Sequence, residues 1–392
     1  MSKPDRQNTK GSNQKRSFKQ LGLLIRRRKI TTFILLLGGT IAMTISSLNA
    51  VTVENDAPYL TSSQYNAAGK FTNQKMVDEF SFSRLFRIVK RSLFEKKQNT
   101  APDKLIPLES ISDTQLEQLP SDKTSIIRLG HSTILLKLDK QFWLIDPVFS
   151  ERASPFSFMG PKRFHQPPIS INDLPEIDGV IISHNHYDHL DEYSIKQLAN
   201  KVKHFIMPLG NSAQVIDWGI NPDKVTELDW WQSIQIEGTK ITATPAQHFS
   251  GRGISDRNKT LWSSWVIKSE SSNLFFSGDT GYFDGFKEIG NQYGPFDLTM
   301  LETGAYDKDW SEVHMSPTES AQAHKDLKGK KLLPIHNGTF DLAFHSWTDP
   351  FEQMVEIANR DWIDLLTPKM GQVVTLNNDD SVDAARDLFW WR

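Results

Sequence analysis

The chain has 392 residues, 38% of them hydrophobic and 23% charged, which suffices for a substantial core in one large domain or two smaller ones. Its formal charge of −2 hides a divided chain: residues 1–29 hold ten of the 45 basic residues and one acid, Asp5, leaving 35 basic against 46 acidic residues, −11, in the remainder. That balance argues against nucleic acid as a partner, since such binding rests on neutralising phosphate, and the absence of cysteine excludes disulfides, thiolate metal ligands, a cysteine nucleophile and a lipid-modified cysteine.

Residues 1–29 form a basic segment, followed by Ile30–Val53, a charge-free stretch of 24 residues. As a helix at about 1.5 Å per residue it would reach roughly 36 Å and cross a bilayer. It reads as a transmembrane anchor or as a signal segment. Leu48 stands where a cleavage site wants a small residue, which favours the anchor. "RRRKI", Arg26 to Ile30, resembles a twin-arginine export signal, suited to a protein folded around metal before transport. The positive-inside rule keeps the N-terminus cytoplasmic and places the body on the extracytoplasmic, periplasmic side, membrane-anchored or, if cleaved, exported.

Residues 54–105 read as a polar linker and an amphipathic segment. Between Phe80 and Lys97, Arg84, Arg87, Lys90, Arg91 and Lys96 alternate with Leu85, Phe86, Ile88, Val89, Leu93 and Phe94 at helical spacing. Two arrangements fit: a helix lying on anionic lipid, or a helix packed on the main domain with its basic face in water. From residue 106 to 392 the chain is one continuous alternation of strands and helices. Ser125–Leu138 and Phe142–Phe149 read as strands with a turn at Asp139-Lys140. Ile177–His184 is an apolar strand of the kind covered on both faces, and Asp191 caps a helix. "KHFIMPL", "KITATPAQH", "NLFFSGDTG", "FDLTMLETGAY" and "KLLPIHNGTF" continue the pattern. The alternation implies a mixed α/β (α+β) fold of two sheets covered by helices.

Directly after the apolar strand comes "SHNHYDHLD", Ser183 to Asp191. Desolvated charges at a buried strand end are costly unless they are paired or hold a metal. His184 and His186, two residues apart, share one side of an extended chain, and Asp188 and His189 follow into the turn. Alone, His248 or His336 reads as a hydrogen-bonded core histidine and Asp279 as a turn residue. Each, however, closes a strand-like run, where a preorganised ligand would stand. Imidazole and carboxylate donors suit zinc, admit iron or manganese, and disfavour calcium and magnesium.

The motif H-x-H-x-D-H and the order of the later residues resemble the metallo-β-lactamase superfamily. "IDPVFSERASPFSFMGPKRF", "ELDWW", "LWSSW", "FSGDTGY" and "IHNGTF" resemble, more narrowly, the family of N-acyl phosphatidylethanolamine phospholipase D and its bacterial relatives. The resemblance implies a four-layer αββα sandwich with metals at one edge, here preceded by the transmembrane or signal segment. It implies two Zn2+ ions, one held by His184, His186 and His248 and the other by Asp188, His189 and His336, with Asp279 between them. Other divalent transition metals are admitted.

The implied activity is that of a phospholipase D-type phosphodiesterase acting on (N-acyl) phosphatidylethanolamine-like phospholipids. A hydroxide shared by the metals attacks phosphorus, phosphatidic acid stays in the membrane, and the head-group alcohol leaves. Asp188 and Asp279 assist proton movement. His314 in "SEVHMSPTES" matches a family histidine near the substrate, against the plain reading of an exposed loop histidine. His131 in "RLGHSTILL" is expected behind the ligands or facing substrate. The alternative on the same fold is a metal-dependent lactonase or a hydrolase of small phosphodiesters; a non-enzymatic scaffold would be expected to have lost ligands that here stand in place. A homodimer is left open. Trp230, Trp231, Trp262 and Trp265 read as core in preference to an acyl-chain groove, and the terminal "DLFWWR" admits an interfacial anchor.

Overall fold

The computed structural model describes residues 61–377, apart from 76, 78–80 and 96, together with 382–383 and 389–392. The segments expected over 1–29 and 30–53 lie outside the described residues, and among the described residues no helix is long and apolar enough to cross a membrane. Residues 53–252 and 256–392 group into one compact unit, which holds every element named below.

Helix α1 (Phe82–Phe94) is capped by Ser81, whose side chain accepts from the Arg84 N–H. Arg84, Arg87 and Arg91, three and four residues apart, lie on one side of it. That side meets Glu312 (3.1 Å from Arg84), Asp309 (paired with Arg87) and Asp307 (2.9 Å from Arg91). The helix packs on the main domain, as one of the two expectations has it, but it does so through its basic side: Arg84 and Arg91 are largely covered by the acidic loop, while Arg87, though paired, and Lys90 remain exposed. No residue of α1 is buried. The stretch before it, expected as a linker, is also docked: Phe71 is fully buried beside Trp230, Leu261 and Trp262.

Helix α2 (Asp113–Glu117) opens with a capping box between Ser112 and Gln115. The run Ser125–Leu138, expected as one strand, is a hairpin of β1 (Thr124–Gly130) and β2 (Thr133–Leu138). The chain reverses at Gly130 (φ 145°) and His131 (φ 46°). Next, β3 (Gln141–Ile145) stops short of the expected Phe149 because Asp146 turns it with φ 40°. There follow β4 (Ile177–Ile181), α3 (Glu192–Leu198) capped by Asp191, β5 (Val202–Pro208), α4 (Ser212–Asp217) and β6 (Val225–Leu228).

A second series comprises β7 (Ser233–Ile236), β8 (Thr239–Thr244), β9 (Ser264–Lys268), β10 (Asn273–Phe276), α5 (Gly285–Gln292), β11 (Phe296–Glu302), α6 (Pro317–Asp326), β12 (Gly329–Ile335), α7 (Asp349–Asp361) and β13 (Asp364–Leu365). The chain then returns to the first sheet with β14 (Val373–Leu376) and β15 (Val382–Asp383). Strand order is β15-β14-β1-β2-β3-β4-β5-β6 in one sheet and β13-β12-β11-β10-β9-β8-β7 in the other.

Alternate residues of one strand face opposite layers. Ile134, Leu136, Trp143 and Ile181 meet Ile241, Trp265, Phe276 and Ile335 between the sheets. Leu135, Val180 and Phe205 instead pack outward on Leu116, Ile195 and Val215 of the helices. Beyond the second sheet Phe275 and Leu332 pack on Phe286, Ala323 and Met354. The result is helix, sheet, sheet, helix, the layering expected of the fold.

Trp230, Trp262 and Trp265 are buried, as expected of core, while Trp231 is only partly so. The interfacial reading of the C-terminus is overturned for its two tryptophans. Trp390 and Trp391 pack on Phe351 and Met370, and their indole N–H groups donate to the Thr367 carbonyl and the Glu352 carboxylate inside the fold.

Candidate metal centre

Pairing directions bring several strand ends to one edge. β1 and β3 both run antiparallel to β2, and β4 runs parallel to β3. In the other sheet β8 and β10 both run antiparallel to β9, while β10, β11 and β12 are parallel. Their C-terminal ends deliver His131, Asp146, His184, His248, Asp279, Glu302 and His336. Hydrogen-bonded strands fix these Cα positions, so each side chain has few torsions left to set. His131, Asp146 and His336 take left-handed φ of 46°, 40° and 62°, costing about 1–3 kcal/mol each for residues with a Cβ. Gly304 permits the close approach behind His336: a Cβ there would stand 1.6 Å from the His336 carbonyl oxygen.

The donors form two groups that share a carboxylate. In the first, the His186 Nδ1 lies 2.8 Å from His184 Nε2 and 3.2 Å from His248 Nε2, and Asp279 Oδ2 lies 3.8 and 3.7 Å from the latter two nitrogens. In the second, Asp188 Oδ2 lies 3.1 Å from His131 Nε2, 3.5 Å from His189 Nε2 and 3.2 Å from His336 Nε2. Asp279 reaches this group too, with Oδ1 3.1 Å from His189 and Oδ2 3.1 Å from His336. His131 thus faces the same space as the residues it was expected to stand behind. His314, from the loop after β11, comes close enough to group with Asp279 and His336.

These residues fit a metal. The spacings of 2.8 to 3.8 Å straddle the edge of a tetrahedron with ~2.0 Å bonds, about 3.3 Å. His189 Nε2 and Asp279 Oδ1 are buried without a hydrogen-bond partner, as lone pairs facing a cation would be. The outer nitrogens of His184, His189 and His248 are engaged elsewhere, while those of His131 and His336 are buried without a hydrogen-bond partner. His189 Nδ1 donates to Asp146 Oδ2 at 2.7 Å, and His248 Nδ1 donates to the Val313 carbonyl at 3.0 Å. His184 Nδ1 donates to Ser183 Oγ at 2.9 Å, whose hydroxyl donates to Asp146 at 2.6 Å. Each arrangement places the proton outside and leaves Nε2 as a donor to metal.

Electrostatics point the same way. Burial holds His184 and His248 well below the usual imidazole range, His186 at about 4 and His131 at about 3. Burial also opposes charge on His189 and His336, but Asp279 above all outweighs it, and His336 is pushed up to about 10. The aspartates resist burial through His189 foremost, which keeps Asp188 and Asp279 ionised. The space between them favours positive charge, which a divalent cation meets while every imidazole stays neutral.

Three supporting residues escaped sequence reasoning. Asp146 was visible only as the acid in "IDP". Glu302, fully buried, accepts from the Thr280 N–H at 2.6 Å and pairs with His314 Nδ1, so it joins the Asp279 turn to the His314 loop. Asn73 clamps the backbone of His248, donating to its carbonyl at 2.8 Å and accepting from its N–H at 3.0 Å; nothing in a polar stretch marks it.

Comparison with known proteins agrees with this geometry. A family model described as a beta-lactamase superfamily domain matches residues 143–337. An uncharacterized protein of Mycobacterium tuberculosis is 38% identical over 83% of this chain and 86% of its own length. The N-acyl-phosphatidylethanolamine-hydrolyzing phospholipase D 1 of Caenorhabditis elegans is 38% identical over 62% of this chain and 74% of its own. Among solved structures, a metallo hydrolase from Ignicoccus hospitalis covers 65% of this chain and 99% of its own at 20% identity, with a TM-score of 0.51; it shares the fold.

Proposed function

Since the chain belongs to the metallo-β-lactamase superfamily of hydrolases, alongside N-acyl-phosphatidylethanolamine-hydrolysing phospholipase D, we propose that it is a zinc-dependent phosphodiesterase that releases the head-group alcohol of glycerophospholipids and leaves phosphatidic acid. The observation that carries this reading is the pair of donor groups sharing Asp279. His184, His186 and His248 would hold one ion and Asp188, His189 and His336 the other, with residues 106–392 as the catalytic domain. Bound there, the metals supply Lewis acidity and water acidified towards neutrality.

The chain's own groups do the rest. Asp146 and Val313 hold the tautomers of His189, of His184 through Ser183, and of His248, which keeps these three ligands oriented during turnover. Glu302 fixes His314 through Nδ1, which leaves its other nitrogen for proton exchange with a phosphoryl oxygen or the departing head-group oxygen. The half-buried His186, Asp188 and His314 form the accessible side of a site whose other donors are buried. Ile30–Val53 would anchor the chain with the catalytic domain on the periplasmic side.

The test combines metal analysis of the purified chain with head-group release from phosphatidylethanolamine and its N-acyl form. The expected result is two metals per chain and release of the alcohol with phosphatidic acid. Turnover of a lactone without head-group release would defeat the phospholipase reading.

A further inference from the structure

The body grips α1 by its charges and leaves its apolar side outward. Arg84, Arg87 and Arg91 meet Glu312, Asp309 and Asp307. On the opposite side, at the same three- and four-residue spacing, stand Phe82 (92% exposed), Leu85, Phe86 (71%) and Val89. Amphipathic helices on soluble domains ordinarily face the other way, since burying four such side chains would contribute several kcal/mol.

Two further observations say what covers it. The acidic loop that receives α1 is the rim of the metal centre: Glu312 is two residues from His314, and Val313 accepts from His248 Nδ1. The chain leading to α1 is fastened there as well, by Asn73 on His248. Only residues 54–60, an extended reach of about 25 Å, separate Thr61 from the charge-free stretch 30–53. An anchor over that stretch would therefore hand the chain over close to the bilayer.

We propose that the apolar side of α1 inserts among the acyl chains of a phospholipid bilayer beside the mouth of the metal centre. The inference rests on the phospholipase reading for its purpose. Its physics is distinct from adsorption of a basic helix: Arg84, Arg87 and Arg91 are paired with the acidic loop and Lys90 stays exposed, so insertion is driven by apolar area and persists in high salt and without anionic lipid.

The chain contains no cysteine, so single cysteines can be labelled cleanly. A bimane probe at Phe86→Cys is compared with one at Lys140→Cys, an exposed turn, in the full chain reconstituted into phosphatidylcholine vesicles with brominated acyl chains. Quenching at 86 and not at 140, unchanged in 1 M salt, is expected. No quenching at 86 overturns the proposal, as does quenching that requires anionic lipid. So does a probe already shielded without contact with bromolipid, which would mean that a second copy or the chain's own N-terminal segment covers the strip.

As a second readout, Phe82→Ser with Phe86→Ser is expected to lower turnover of vesicle-borne phospholipid about tenfold and to leave a soluble short-chain diester unaffected. Equal loss on both substrates overturns the proposal. The quenching arm reads out even if phospholipid is not the substrate, so failure of that reading and failure of this one are distinguishable.

Discussion

With Oδ2 2.7 Å from His189 Nδ1 and 2.6 Å from Ser183 Oγ, Asp146 sets one imidazole directly and His184 through the serine hydroxyl. Asp146→Asn should weaken metal binding about 10–100-fold in a chelator competition, with the circular dichroism spectrum unchanged. Asp279 touches both donor groups, and its substitution by Asn should abolish turnover while thermal unfolding stays cooperative; retained activity would argue against a two-metal site. A different histidine governs acid stability. His324 is buried outside the site, beside the Thr299 hydroxyl at 2.8 Å, and burial pushes it down to about 4. The unfolded chain, titrating near 6.5, binds more protons between those values. His324 therefore leaves stability intact above about pH 6.5 and removes up to about 3 kcal/mol as pH falls towards 4. His324→Gln should flatten that part of the decline in melting temperature relative to the parent chain.

Among the elements, the strand ends do most to build the site, and they show where periodicity stops being informative. Apolar runs such as Ile177–Ile181 and Leu332–Ile335 are legible as strands because both faces are covered. Their exits are not, since left-handed turns at His131, Asp146 and His336 involve residues that ordinarily avoid that conformation. The hairpin hidden in Ser125–Leu138 shows the same limit: only Gly130 hints at it, and the reversal is held by pairing of β1 with β2. Docked segments are harder still. Asn73 acts through hydrogen bonds to a residue 175 positions away. Its replacement by Ala should lower stability by about 1–3 kcal/mol in chemical unfolding and weaken metal retention, because the backbone of His248 loses both partners.

At the scale of the whole molecule, the four layers follow from two runs of strands with helices between and after them, each covering an outer face. The same scale decides the fate of exposed-looking aromatics. Trp391 stacks on Phe351 at a 4.7 Å centroid separation, so Trp391→Ala should lower the melting temperature by the equivalent of about 3–5 kcal/mol, measured by calorimetry, although it lies one residue from the C-terminus. The sequence by itself determined the fold class, the metal-binding motif and the candidate donors, because burial periodicity and the residue types able to bind a cation are local properties. Tertiary structure alone decided that His131 joins the donors, that Asp146 and Glu302 support them, and that α1 turns its apolar side outward. These depend on which separate strand ends and which acidic loop come together, and a contact between segments from a dozen to more than two hundred residues apart leaves no periodic trace in either.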